Sequence, residues 1–464
     1  MLFTSYVFLY VFLPAFLVTY YALPSKGRAW WLAVASYVFY GWWRPDFVIL
    51  MWISTCVDFF CGRRIRNSQD AGRTGKPFVV LSVLVNLGLL AYFKYANFGI
   101  ESLNAILAEF DRDPILWVDV VLPVGISFYT FQTLSYSVDV YRRQADPVDS
   151  FGDFACYVAM FPQLVAGPIV RYRSIAEQLR EPGTSWAAFS TGCLVFFAGL
   201  TKKVLLADTF AIGADAAFGA EALSTLDAWL GALCYTFQIY FDFSGYSDMA
   251  LGLGLMMGFR LPVNFDRPYV SRSVTEFWRR WHISLSSFLR DYLYIPLGGN
   301  RHGTVRTYVN LALTMLLGGL WHGAAWTFIA WGAYQGFWLI LERLSGRRSF
   351  YASLPPALEK AVTFVIVIFG WVLFRSESIE SAGLYMQTMF GLGGSDASPV
   401  LTEWSRLQSF ILGVALVVVH GFRTTQSYAE RPPAWWIASV FALTAMALVQ
   451  LHRANTVPFL YFQF

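Results

Sequence analysis

The sequence predicts an all-α integral membrane protein, and three observations carry that expectation. Of 464 residues, 56% are hydrophobic and only 14% charged, where a soluble domain carries about 25% charged residues. Apolar runs able to cross a hydrocarbon layer as helices of about 20 residues recur along the whole chain. Those runs are apolar on nearly every side, whereas membrane β-strands alternate apolar and polar residues.

The long runs are 2–23, 78–98, 186–207, 226–258, 323–342, 360–374, 407–420 and 433–451, with shorter or polar-broken ones at 29–43, 47–61, 118–140, 151–170 and 307–320. Together they predict roughly 10–12 spanning or half-spanning helices. No repeat or linker divides them, so a single membrane-embedded domain over 1–464 is expected, closed by an aromatic tail at 452–464. The first run has no basic residue ahead of it, and Lys26 and Arg28 follow it. This order reads as a retained helix rather than a signal peptide, with the N-terminus outside the cytoplasm.

Basic residues gather in loops around Arg63 to Lys76, Arg171 to Arg180, Arg260 to Arg306, Arg343 to Arg348, and Arg423 to Arg431. These loops are expected on the cytoplasmic side. The 376–406 loop, with Glu377, Glu380, Asp396 and Glu403 against Arg406, is expected outside. The net charge of +4 is dispersed over loops, which gives nucleic-acid binding no support. Cys56, Cys61, Cys156, Cys193 and Cys234 show no metal-ligand spacing and read as core residues.

Ionisable side chains in apolar surroundings are costly and usually line cavities or pair with one another. His322 lies in GGLWHGAAWTFIAWG. Both flanks of 307–342 are basic, so the segment must enter the membrane and return. Its first limb, TYVNLALTMLL, climbs only about 16 Å at helical rise, and Gly318, Gly319 and Gly323 suit an apex where the backbone leaves helical geometry. His322 is therefore expected at the tip of a re-entrant hairpin near the midplane. In VTEFWRRWHISLSSFLRDY, Trp278, His282, Leu285, Leu289 and Tyr292 share one face of an amphipathic helix over 274–292, which aims His282 inward. Arg279 and Arg280 then lie toward water, facing lipid headgroups or the phosphates of a substrate. Asp242, Ser244, Ser247 and Asp248 occupy a strongly apolar stretch, as site residues or as a polar knot between helices.

Several stretches resemble the membrane-bound O-acyltransferases, in particular their bacterial alginate O-acetyltransferase branch, close to the teichoic acid D-alanyl transfer protein. They are YVFYGWW, VGISFYTFQTLSYSVDVYR, FPQLVAGPIVRY, YFDFSGYSDMALGLGLMMGFRLPVNFDRPY, FWRRWHISLSSFLRDYLYIPLGGNR and GGLWHGAAWTFIAWG. The resemblance implies a ring of helices around a tunnel in the bacterial inner membrane. It carries the catalytic histidine of the WHG motif onto His322 and that of WHISL onto His282. Trp321, Asp242 and Asn264 become tunnel-lining or supporting groups.

The tail HRANTVPFLYFQF is similar to the aromatic C-terminal motif of this branch, which assigns Tyr461 an acyl-relay role. An interfacial aromatic belt is the alternative. Leu460 stands where isoleucine is common. The implied chemistry is acetyl transfer from acetyl-CoA, a substrate rather than a resident cofactor, to a hydroxyl of an extracytoplasmic polysaccharide such as alginate. Cellulose or peptidoglycan are other acceptors, and an extracytoplasmic acetyltransferase or polysaccharide secretion complex would be the partner. A proton-coupled transporter or a scaffold remains open on the residues alone.

Overall fold

In a computed structural model, residues 1–165, 167–346, 349–395, 398–453 and 457–460 are described, without the side chains of Glu403 and Leu407. Arg347, Arg348, Asp396, Tyr461, Phe462 and Phe464 lie outside the described residues. The described residues form helices and loops without a strand.

Most helices fall on the apolar runs. Lys76–Glu109, Trp186–Phe218, Pro356–Arg375 and Ala434–Arg453 are long and apolar enough to cross a membrane. The chain is a multi-pass membrane protein. Two of the shorter runs are interrupted. The 118–140 run becomes helical only from Ile126, because Pro123 and a left-handed Gly125 precede it. The 151–170 run breaks at Met160. The 376–406 loop contains its own helix, Ile379–Met389, opened by a capping box at Ser378 and Ser381.

Chain contacts divide into two compact units: Met1–Cys193 with Ala250–Pro262, and Leu194–Met249 with Val263–Phe464. Within the first, Phe3, Phe8, Phe16, Phe39 and Phe161 form a buried aromatic core. Beside it, Ser82, Asn86 and Ser137 all donate to the buried carboxylate of Asp58 and tie three helices together. Buried polar groups of this kind are retained when every lone pair finds a donor.

The second unit holds the helical hairpin. Its limbs are Gly303–His322 and Trp326–Leu344, joined by Gly323 to Ala325 in extended conformation. The first limb corrects the expectation of a half-length climb. It has 20 residues, about 30 Å at helical rise, so limb length gives no reason to place its tip at the midplane. Gly318 and Gly319 stay helical, and their lack of a side chain serves close packing instead. A Cβ on Gly319 would stand 2.2 Å from the carbonyl oxygen of Phe328, and one on Gly332 would stand 2.5 Å from that of Met315. Only Gly323 marks the turn, where a Cβ would meet the Phe328 ring at 2.0 Å.

Candidate active site

His322 is the last residue of the hairpin's first limb and is buried. Aromatic rings surround it: Trp321 at 5.1 Å, Trp331 at 5.1 Å and Phe374 at 5.3 Å between centroids, all steeply inclined to the imidazole. Trp331 comes from the second limb, and Phe374 from the end of Pro356–Arg375. Neither stood out in the sequence, where they are two among 18 tryptophans and 42 phenylalanines.

His282 is fully buried, and its ring lies 6.2 Å from that of His322 and 6.0 Å from that of Trp321. Phe243 packs its edge against it at 4.7 Å. The two histidines converge as expected, but the element that delivers His282 is not one amphipathic helix. Val274–Arg280 ends at Trp281, His282 takes left-handed angles of φ 43° and ψ 55°, and a second short helix, Ile283–Leu289, follows. Left-handed geometry is uncommon away from glycine and persists only where its surroundings impose it.

Asn264 supplies that constraint. Its carbonyl accepts from the Ile283 N–H at 3.0 Å. Its side-chain oxygen accepts from the Ser284 N–H at 3.2 Å and the Ser284 hydroxyl at 2.6 Å. Its amide donates to Ser247 at 3.3 Å. Asn264 is thus a positioning residue for His282. Heptad spacing concealed the break because tertiary hydrogen bonds, not local propensity, make it.

At the start of Val274–Arg280, the short helix before His282, Glu342 of the hairpin accepts from the N–H groups of Val274 and Thr275 at 2.6 and 2.9 Å, and from the Thr275 hydroxyl at 2.6 Å. A carboxylate there satisfies orphan donors and complements the helix dipole. Midway, Trp278 donates to Gln335 at 3.2 Å. The hairpin that carries His322 therefore also holds the helix that leads to His282.

Burial is the dominant influence on His282, and it lowers its pKa to about 3. The ring is neutral at physiological pH.

The remaining candidates are placed as follows. Trp321 is buried and its ring lies beside both imidazoles. Asp242 is buried and paired with Lys203 at 2.7 Å, and Lys203 also reaches Asp208 at 2.6 Å. Sequence reasoning passed over Lys203 and Asp208. Their signal was a charged pair inside the apolar run FFAGLTKKVLLADTF, diluted there by its neighbours. Asp248 pairs with Lys202 at 2.6 Å and accepts from Thr425 at 2.7 Å, which makes it a knot between helices. Arg280 is engaged by Glu276 and by Asp266 at 2.9 and 3.0 Å, whereas Arg279 is exposed. Tyr461 lies outside the described residues.

Residues 34–376 match the model of the membrane-bound O-acyltransferase family, and the chain belongs to that family. It is 48% identical to a probable alginate O-acetylase of Pseudomonas aeruginosa over 93% of this chain and 83% of that protein. A peptidoglycan O-acetyltransferase of Helicobacter pylori is 36% identical over 85% of this chain and 80% of that protein. A teichoic acid D-alanyltransferase of Bacillus subtilis is 27% identical over 65% of this chain and 84% of that protein. The chain is an O-acyltransferase.

Proposed function

We propose that this protein transfers acetyl groups from acetyl-CoA on the cytoplasmic side of the bacterial inner membrane to hydroxyls of an extracytoplasmic polysaccharide, alginate, with His322 as general base. The observation that carries the chemistry is a pair of buried histidines held 6.2 Å apart in an aromatic enclosure. The similarity to the Pseudomonas protein carries the choice of acyl group and polymer.

In this reading His322 removes the proton of the attacking hydroxyl as its oxygen adds to the thioester carbonyl. The C–O bond forms, the C–S bond breaks, and the imidazolium returns its proton to the departing thiolate. General-base assistance of this kind contributes about 10²–10⁴-fold. The C-terminal carbonyls of the helix ending at His322 and the faces of the surrounding rings favour the positive charge that appears on the imidazole. His282, being neutral, does not repel it.

Tyr461 serves as the relay hydroxyl, so that acetyl passes from donor to phenol and then to the polymer or to an extracytoplasmic acetyltransferase partner. Both termini are extracytoplasmic in this arrangement. Exposed Arg279 takes the donor phosphates, while Arg280 is already neutralised by Glu276 and Asp266.

The test is thioester turnover. Purified protein reconstituted in liposomes with acetyl-CoA and an acceptor should release free coenzyme A thiol and leave acetyl on the acceptor. A protein that moves protons or substrate without cleaving the thioester would overturn the reading in favour of a transporter.

A further inference from the structure

A second buried constellation lies on the Thr225–Met256 helix, around Asp242, the residue before Phe243, whose ring packs against His282. Within the second unit this helix meets the residues after Leu194 almost backbone to backbone. A Cβ on Gly199 would stand 2.5 Å from the Gly245 carbonyl oxygen, and one on Gly245 would stand 2.8 Å from that of Gly199. This approach brings Lys203, at the start of the π-helical Lys202–Ala207 segment, beside Asp242.

Lys203 makes ion pairs with both Asp242 and Asp208. Lys203 bridges the two carboxyl groups through one oxygen of Asp242, and the second oxygen of Asp242 accepts the backbone N–H of Leu460 at 2.8 Å. The neighbouring Phe459 stacks on Tyr246 at 4.5 Å and lies 6.0 Å from Phe243. Phe243 is the ring that packs against His282. Phe459 and Leu460 are only 3% and 5% exposed.

A buried ion cluster is weak evidence for stability, since well-packed apolar residues often serve as well, and its best-attested use is to set register. Apolar burial of Phe459 and Leu460 is non-directional and would tolerate a slide of the segment. An N–H held by a carboxylate does not. We infer that Lys203 and Asp242 are positioning residues that fix the register of the C-terminal segment beside the histidine pair, as an obligatory part of the transfer site. This rests on the acyl-transfer reading above.

The test uses full-length protein in two variants. Asp242→Asn removes the carboxylate while Asp208 still neutralises Lys203, and Phe459→Ala leaves every charge in place. Carboxypeptidase release of Leu460, read by intact mass, is measured beside acetyl transfer and melting temperature. Both variants should lose Leu460 at least about tenfold faster than the unaltered protein, the scale of a charged hydrogen bond. Their kcat should fall by about tenfold to a hundredfold, as for a misplaced reacting group, while the KM for acetyl-CoA and the melting temperature stay near the parent values. If Asp242→Asn fails to fold, Asp242→Glu, which keeps the charge and displaces its oxygens by one methylene, carries the same comparison. Faster release with undiminished transfer would overturn the inference, as would retention of Leu460 in Asp242→Asn. Absence of thioester turnover in the unaltered protein would count against the acyl-transfer reading instead, and the release assay would still decide whether Asp242 and Phe459 hold the segment.

Discussion

The imidazole of His282 stands 6.2 Å from that of His322, with the Trp321 ring within 6.0 Å of the first and 5.1 Å of the second. At that separation the two rings share one enclosure without direct hydrogen bonding, so they are expected to contribute unequally. His282→Ala should lower acetyl transfer by about tenfold, less than the loss at a general base, with the protein still inserted and folded. Initial rates with purified variants check this, and a loss equal to that of His322→Ala would mean the two act as one catalytic unit.

The contacts of the hairpin predict where a methyl group is intolerable. Gly319→Ala should destabilise the protein by about 1–3 kcal/mol or more, because the atom 2.2 Å away is a backbone oxygen that cannot swing aside. Gly383→Ala is the control. That glycine is helical with nothing within 4 Å of the added carbon, and the change should stabilise the helix by up to about 1 kcal/mol. Thermal unfolding in detergent compares the two.

Glu342 joins the hairpin to the helix before His282 by three hydrogen bonds. Glu342→Ala should cost about 2–4 kcal/mol, since bonds to a charged group contribute about 1.5–3 kcal/mol each and are not additive. Activity should fall with it because Trp281 and His282 lose their register. Glu342→Gln keeps an acceptor and should retain part of both. Parallel melting curves and turnover rates measure the effect, and an active, stable Glu342→Ala would exclude a positioning role.

Much of the site was legible in the sequence because membranes make ionisable residues conspicuous. His322 and His282 stand out in apolar stretches, and both are buried in one enclosure. What escaped notice lies in tertiary contacts. The break at His282 is imposed by Asn264, 18 positions earlier, and heptad spacing carries no trace of it. The first limb is longer than expected because Gly303 to Arg306 continue the helix at one end and Gly318 to His322 at the other. Lys203 and Asp208 were hidden because averaging over an apolar run dilutes isolated charges, although Asp242, which pairs with Lys203, was in view.

The neutral state of buried His282 gives stability a pH dependence. Its folded pKa, about 3, lies below the ordinary value of 6.5, so the contribution is complete above about 6.5 and is lost as the pH falls from there toward 3. The slope for one such group is at most about 1.4 kcal/mol per pH unit. Between pH 6.5 and 5 the melting temperature should therefore fall more steeply for the parent protein than for His282→Gln. Parallel slopes would show that the ring does not stay neutral on folding.

Tyr461→Phe keeps the aromatic ring and removes the hydroxyl. The relay predicts loss of most polymer acetylation at unchanged expression, and acetyl on the C-terminal peptide of the parent protein after incubation with acetyl-CoA, both read by mass spectrometry. A fully active Tyr461→Phe would reduce the tail to an anchor.

The most direct test of the account is His322→Ala, assayed for polymer-bound acetyl alongside the thermal stability of the purified protein. A ring that performs chemistry within the enclosure predicts a loss of about 10²–10⁴-fold in transfer with the fold retained. Acetylation at the parent level in a folded His322→Ala protein would contradict it.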